Sequence, residues 1–466
     1  MTGMAALSEL WRLAGGDPAA LARVNLMGAD PQLPSSFRVG TAAQASIAAA
    51  GLAAAELHRQ RTGVAQDVAV DMRHAAIEFR SERYLRIVGE EPPVFWDTLA
   101  GVYRAGGGGP GGSSHVRLHT NFAHHRQAVL TVLGCDATRE AVQAALLSWD
   151  AVAFETAVYA AGGVVAAMRS PDTWAAHPQG QALASLPALK ISKIGEAPPR
   201  PLPPAERPLS GVRVLDMSRI IAGPVAGRTL AAHGADVLLI TSPRLPSMPW
   251  LVIDTGRGKR SAHVDLATPA GRATLTRLLA DADIISQGYR PHAVATLGFA
   301  PEDAARIRPG IVYVSLSAYG AAGPWANRRG FDSLVQTATG INHAEADAAG
   351  IAGPKELPAQ ALDHASGYLM AFGAIAARAR QVREGGSWHV EVSLAQTGQW
   401  LQGLGRLTDG FGCADPKLDA IGEFLEETPS GFGRLRAVRH ACQLSATPAR
   451  WHCPSVPLGS DPPAWL

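Results

Sequence analysis

Between residues 212 and 316 the chain alternates short apolar runs with helical stretches, and that alternation leaves few folds open. Residues 212–216 read as an apolar strand. A turn at Ala222-Gly223-Pro224 leads into a helix over residues 225–233, closed by Gly234, and residues 235–240 form a second strand. Strand, helix and strand within about thirty residues make the unit of a parallel sheet. The unit recurs as a helix at 269–280, a strand at 283–285, a helix at 301–307 and a β-branched strand at 311–316. The expected fold class is α/β, a doubly wound parallel sheet. The dinucleotide fingerprint is missing. Gly223 and Gly227 lack its spacing, and Thr241-Ser242 stand where an acidic residue would end the second strand. That argues against a nicotinamide or flavin dehydrogenase.

The stretch from Pro358 to Arg378 reads as a loop running into a helix, uncharged from Ser366 to Ala377 and so expected to be buried on most sides. Asp363 sits where that helix begins. There it is either an N-cap or a nucleophile stabilised by the helix dipole. Gly367, four residues on, would leave room for a substrate to approach it. The basic run around Arg257, Lys259 and Arg260, interleaved with glycines, suits either a phosphate or a solvated turn.

The N-terminal half reads differently. Helices are expected at 5–14, 18–26, 42–61 and 72–84, with a short strand at 67–71. The glycine-rich loop 106–114 lacks the Lys-Ser/Thr ending of a phosphate loop and is most simply a hairpin tip. His115, His119, His124 and His125 fall close together without the carboxylate and helical spacing of a metal site. Residues 138–186 are helical, and the prolines of 198–208 mark a linker.

The chain has 466 residues, of which 47% are hydrophobic and 18% charged, with a net charge of +2. This near balance gives no sign of a nucleic-acid partner. No apolar run reaches the ~18 residues of a membrane span, and no signal peptide stands at the start. Four cysteines without paired spacing suit free thiols in a reducing, cytoplasmic setting.

Several segments together resemble the family III CoA-transferases (CaiB/BaiF family). They are Leu209 to Asp216, Ile221 to Pro224, Gly234 to Val237, and Gly256 to Ser261 with Asp265-Leu266. Further along come Tyr289-Arg290-Pro291, Ser315 to Gly320, Gly323-Pro324, Gly330-Phe331-Asp332 and Gln336. Asp363 to Gly367 is similar to the family's D-x-x-[ST]-G segment. The resemblance implies a Rossmann-like large domain with a smaller α+β domain, and transfer of CoA from an acyl-CoA to a carboxylic acid. It places the catalytic carboxylate at Asp363, with an aspartyl anhydride and thioester as intermediates. Contacts to coenzyme A fall on Arg257, Lys259 and Arg260, and on Gly223, Pro224, Arg290 and Gly367. No metal, nucleic acid or membrane is implied. A homodimer is the expected assembly, and two arrangements stay open: chains interlinked as family dimers are, or one chain that mimics that arrangement within itself. His364, adjacent on the helix, points away from Asp363 and reads as structural.

Residues 51–71 resemble the family segment that follows the catalytic helix, and the same segment recurs at 373–393. Aligning Val68 with Val390 gives an offset of 322, which sets Thr41 opposite Asp363. The first copy would thus lack the carboxylate, and the second, after Leu401, is expected to end in a polar, proline-rich tail. The expected division is a helical segment at 1–84, a small domain at 85–197, a linker at 198–208 and a large domain at 209–466. Two other readings stay open. An α-methylacyl-CoA racemase needs a second acid–base group, and Phe331 stands where that group's histidine would be. A non-catalytic CoA-binding homologue is the other.

Overall fold

The computed structural model describes residues 1–107 and 114–466. Most of the glycine-rich loop, residues 108–113, lies outside the described residues. The strands that flank it, Gly101–Arg104 and His115–Leu118, pair antiparallel.

Among the described residues the strands form one seven-stranded sheet and three sheets of three strands. From edge to edge the large sheet runs Lys259–His263, Asp236–Thr241, Arg213–Met217, Ile284–Gln287, Val312–Ser317, Ser387–Ser393 and Leu189–Gly195. The first six are parallel and the last is antiparallel. Neighbouring residues on one strand enter different apolar clusters. Val214, Ile284 and Val312 pack into one, and Leu215, Ile285 and Tyr313 into the other. A strand's side chains alternate between its faces, so both faces of this sheet are covered. That is why the strands read as continuous apolar runs.

Two helices of 24 residues, Val39–Thr62 and Ala361–Glu384, pack against each other beside the sheet. Both carry long alanine- and glycine-rich stretches, which allow close approach. Both end at a glycine with positive φ, Gly63 and Gly385. The offset of 322 carries Val39 onto Ala361 and Thr62 onto Glu384.

Residues 101–167 build a separate three-stranded antiparallel sheet. Its core holds Val116, Val129, Val142, Phe154 and Val158. The strand Leu189–Gly195, close to the end of the 85–197 segment, belongs to the large sheet instead, paired with Ser387–Ser393.

Three expectations need correction. The second N-terminal helix is a 3-10 turn, Pro18–Arg23, followed by the strand Val24–Met27, which pairs with Val68–Asp71. The 72–84 helix is two, Met72–Glu78 and Ser81–Tyr84, broken at Phe79-Arg80. The segment after 401 does not trail off as a polar tail. It forms a hairpin of Leu425–Ser430 and Gly433–Val438 that pairs with Arg86–Ile87, and a strand Cys442–Leu444 on Val68–Asp71. The C-terminal stretch is thereby tied to the first hundred residues. Among the described residues, no helix is long and apolar enough to cross a membrane.

Candidate active site

Asp363 is the third residue of the Ala361–Glu384 helix, and Gln360 holds the N-cap position without a side-chain cap bond. The cap comes from elsewhere. Asp332 Oδ2 accepts the backbone N–H of Leu362 at 2.8 Å and of Asp363 at 2.9 Å. Its other oxygen accepts from the Gln336 amide. Asp363 is therefore not the helix cap, and its carboxylate is left for other work. The first long helix has a parallel arrangement: Asp30 Oδ2 accepts from Thr41 N at 3.1 Å and from its hydroxyl at 2.6 Å. There the residue opposite Asp363 is a threonine turned onto its own cap.

Asp363 is 8% exposed and lines two clefts at once. The first cleft encloses about 360 Å³. Its walls include Met217 and Arg219, Tyr289 and Arg290, and Ser317 and Leu394. These flank the carboxyl ends of four parallel strands, 213–217, 284–287, 312–317 and 387–393. In open α/β sheets ligands bind outside those ends, where the strand order reverses. Here the reversal lies between 213–217 and 284–287. The second cleft encloses about 410 Å³ and is bounded by Glu82, Trp96, His119, Met248, Phe331 and Gln360 among others. Glu82, Trp96, His119, His124 and His125 all come from the N-terminal half. One chain thus supplies both walls of the site.

The electrostatics differ from those of a free helix start. Burial, then Asp332, then Glu82 push the Asp363 carboxyl well above the ordinary aspartate range. Burial also raises Asp332, to about 6, against the pull of its hydrogen bonds. Burial alone would raise Glu82 as well, but the bond and charge of His364, together with the charge of Arg83, outweigh that and hold it low. Glu82 Oε2 lies 3.0 Å from His364 Nε2, and the His364 ring stacks on Phe79. His364 is fully buried and faces Glu82.

The residues assigned to coenzyme A by resemblance do not gather in one place. Arg290 is exposed and lines the first cleft. Arg257 is buried and bonded to Asp254 and to the Val438 carbonyl. Lys259 Nζ donates to Asp216 and to the Pro224 carbonyl, each at 2.7 Å. Arg260 pairs with Asp236 at 2.8 Å. The run is neither a solvated turn nor an open cradle, because from Lys259 on it is an edge strand whose charges are already neutralised. Gly223 and Gly367 serve packing. A Cβ on Gly223 would lie 2.3 Å from the Ser218 Cβ. A Cβ on Gly367 would lie 2.5 Å from the Ala222 carbonyl oxygen, so the space beside it is filled by the Ala222–Ala232 helix. His119 and His125 lie in clefts with Asp363, and the His119 ring stacks on Phe331 with centroids 3.9 Å apart.

Residues 209–417 match the sequence profile of CoA-transferase family III. A probable fatty acyl-CoA transferase of Mycobacterium tuberculosis is 33% identical over 209 residues, which span 42% of this chain and 52% of the relative. The acetyl-coenzyme A transferase nodX of Hypoxylon pulicicidum is 32% identical over 200 residues, 42% of this chain and 34% of the relative. An acyl-CoA transferase of Gibberella moniliformis is 28% identical over 419 residues, covering 81% and 73%. A crystal structure of the M. tuberculosis protein Rv3272 is similar at 31% identity over 44% of this chain and 57% of that one, with a TM-score of 0.39. The chain thus spans a third to a half of the length of the first two relatives. Residues 209–417, a little under half of the chain, are thus similar to CoA-transferase family III.

Proposed function

We propose that the protein is an acyl-CoA:carboxylate CoA-transferase on a doubly wound, Rossmann-like sheet, with Asp363 as its nucleophile. The observation that carries the reading is one uncapped, buried carboxylate at the junction of two clefts. Ionised Asp363 attacks the thioester carbonyl. The C–S bond breaks, CoA leaves as the thiolate, and an aspartyl mixed anhydride forms. The thiolate attacks the aspartyl carbonyl, releases the first carboxylate and leaves an aspartyl thioester. The acceptor carboxylate displaces the thiolate to form a second anhydride. Thiolate attack on the acyl carbonyl of that anhydride frees Asp363 and the new acyl-CoA.

The surroundings support each step. Burial, Asp332 and Glu82 together raise the proton affinity of Asp363, and a more basic carboxylate is a stronger nucleophile once ionised. Burial keeps water from the anhydride. Arg219 and Arg290, in the first cleft, suit the phosphates of CoA. Both walls come from one chain, so a homodimer is not needed to complete the site.

The test is intact-protein mass spectrometry after incubation with a panel of acyl-CoAs and hydroxylamine, on wild type and Asp363→Asn. A hydroxamate at residue 363 in the wild type alone is the expected result. Exchange of α-protons into deuterated water without an adduct would replace this reading with a racemase. Neither signal, with CoA still bound, would leave a binding protein.

A further inference from the structure

The two clefts that meet at Asp363 differ in charge and polarity, and the difference constrains the acid. The first carries Arg219, Arg290, Arg328 and Arg329, and Asp363 is its single carboxylate among the described lining residues. The second is walled by Val94, Phe95, Trp96, Met248, Leu251 and Phe331. Its charged residues are chiefly acidic: Glu82, Asp332 and Glu356 besides Asp363. Its cation is Arg83, which lies 3.5 Å from Glu82 and is offset by it. The buried Arg117 pairs with the exposed Glu356 and stacks on Trp96. At about 410 Å³ the space falls within the ~300–1,000 Å³ of small-molecule sites.

We infer that the second cleft receives the hydrocarbon part of a monocarboxylic acid, alkyl or aryl, and rejects acids with a second carboxylate. This rests on reading Asp363 as the transfer centre. With the reacting carboxyl held at Asp363, the remainder of the acid lies against the Val94–Trp96 segment and Met248. A second carboxylate placed there would be desolvated beside Glu82 and Asp332, and the cations near it among the described residues, Arg83 and Arg117, are already paired with Glu82 and Glu356, so its burial is costly. Alkyl groups there gain burial at no such cost. The first cleft, with its excess of guanidinium groups, is left for the diphosphate and 3′-phosphate of CoA.

The experiment measures CoA transfer from a fixed donor to butyrate, hexanoate, octanoate, phenylacetate, succinate and glutarate. It is paired with calorimetric binding of octanoyl-CoA and succinyl-CoA to wild type and Trp96→Ala. Expected is a kcat/KM that rises roughly fourfold per methylene along the alkyl series until the cleft is full. The dicarboxylates should fall about a hundredfold below octanoate. Trp96→Ala should lose tenfold or more of the preference for octanoyl-CoA over succinyl-CoA. Transfer to glutarate as efficient as to octanoate, with the Asp363 adduct intact, overturns the acid class and leaves the transferase reading standing. No adduct and no transfer sinks the transferase reading. In that case equal binding of octanoyl-CoA and succinyl-CoA still refutes the apolar cleft independently.

Discussion

Asp332 and Asp363 are joined through the backbone: Asp332 Oδ2 accepts the Asp363 N–H at 2.9 Å, while its charge opposes ionisation of the Asp363 side chain. One residue thus fixes the helix start and sets the basicity of the carboxylate on it. Asp332→Asn keeps an acceptor oxygen for the two N–H groups and removes the charge. The acidic limb of kcat/KM should therefore move to lower pH, while the new side-chain amide faces the Gln336 amide that the carboxylate had accepted from, so some thermal stability should be lost as well. Asp332→Ala removes the cap too and should cost ~0.5–2 kcal/mol. A pH–rate profile of both variants checks this. An unmoved limb in Asp332→Asn would mean that Asp332 acts on Asp363 only as a cap.

The same carboxylates make stability depend on pH in a defined direction. The folded-state affinity of Asp363 for a proton is raised by burial, Asp332 and Glu82, and that of Asp332 is raised to about 6. A group with a raised folded pKa contributes stability that is full below the unfolded value, ~4 for aspartate. That contribution is lost as pH rises through the folded value. Asp363→Asn stays neutral throughout. Its melting temperature should exceed that of wild type by a margin that grows from pH 4 to pH 8. A margin constant over that range would show that Asp363 titrates normally.

Away from the clefts, a buried ion network joins the first 84 residues to the large domain and to the C-terminal stretch. Arg228 lies 2.9 Å from Asp254 and 3.9 Å from Glu78, and Glu78 lies 3.1 Å from His440. Burial would raise Glu78, but His440 and Arg228 outweigh it and hold it well below the usual range. Removing one member strands the others in the interior, at a cost of ~3–5 kcal/mol. Glu78→Gln should show that loss in urea unfolding at pH 7. The wild-type contribution should fade as pH drops below ~4, since a depressed folded pKa gives stability that is lost on acidification.

Gly367→Ala tests whether that glycine serves substrate or packing. The new Cβ would lie 2.5 Å from the Ala222 carbonyl oxygen and 2.8 Å from Val225 Cβ. Overpacking of this kind costs ~1–3 kcal/mol. Stability and kcat should fall together, because the helix that carries Asp363 must shift. A variant of native stability with a raised KM alone would return Gly367 to the substrate side.

The large sheet was legible because its strands are covered on both faces and stand as β-branched runs between glycine and proline stops. The position of Asp363 in the first turn of an uncharged helix was legible as well. Its neighbours were not. Glu82 meets His364 across 282 positions, and the strand Cys442–Leu444 finds Val68–Asp71 at a similar remove. Such pairings leave no local pattern. The basic run misled for a related reason. Its partners Asp216 and Asp236 lie 43 and 24 positions away, so composition alone could not distinguish a buried, neutralised strand from an open phosphate site.

That contrast gives the last prediction. Arg290 projects into the first cleft and Lys259 does not, although resemblance assigned CoA to both. Arg290→Ala removes a surface cation, so stability should change by less than ~0.5 kcal/mol. Loss of a charge-assisted bond to phosphate should weaken CoA binding roughly tenfold at low salt, and less as salt screens it. Lys259→Met should do the reverse. It leaves Asp216 buried without its partner, so the melting temperature should drop sharply, while the protein still folded at low temperature binds CoA as wild type does. Calorimetric titration of CoA at 50 and 300 mM salt, set beside thermal melts of both variants, measures each effect separately. If Lys259→Met kept its stability and lost CoA, the phosphates would lie at the sheet edge, and the cation-lined cleft would belong to the acid.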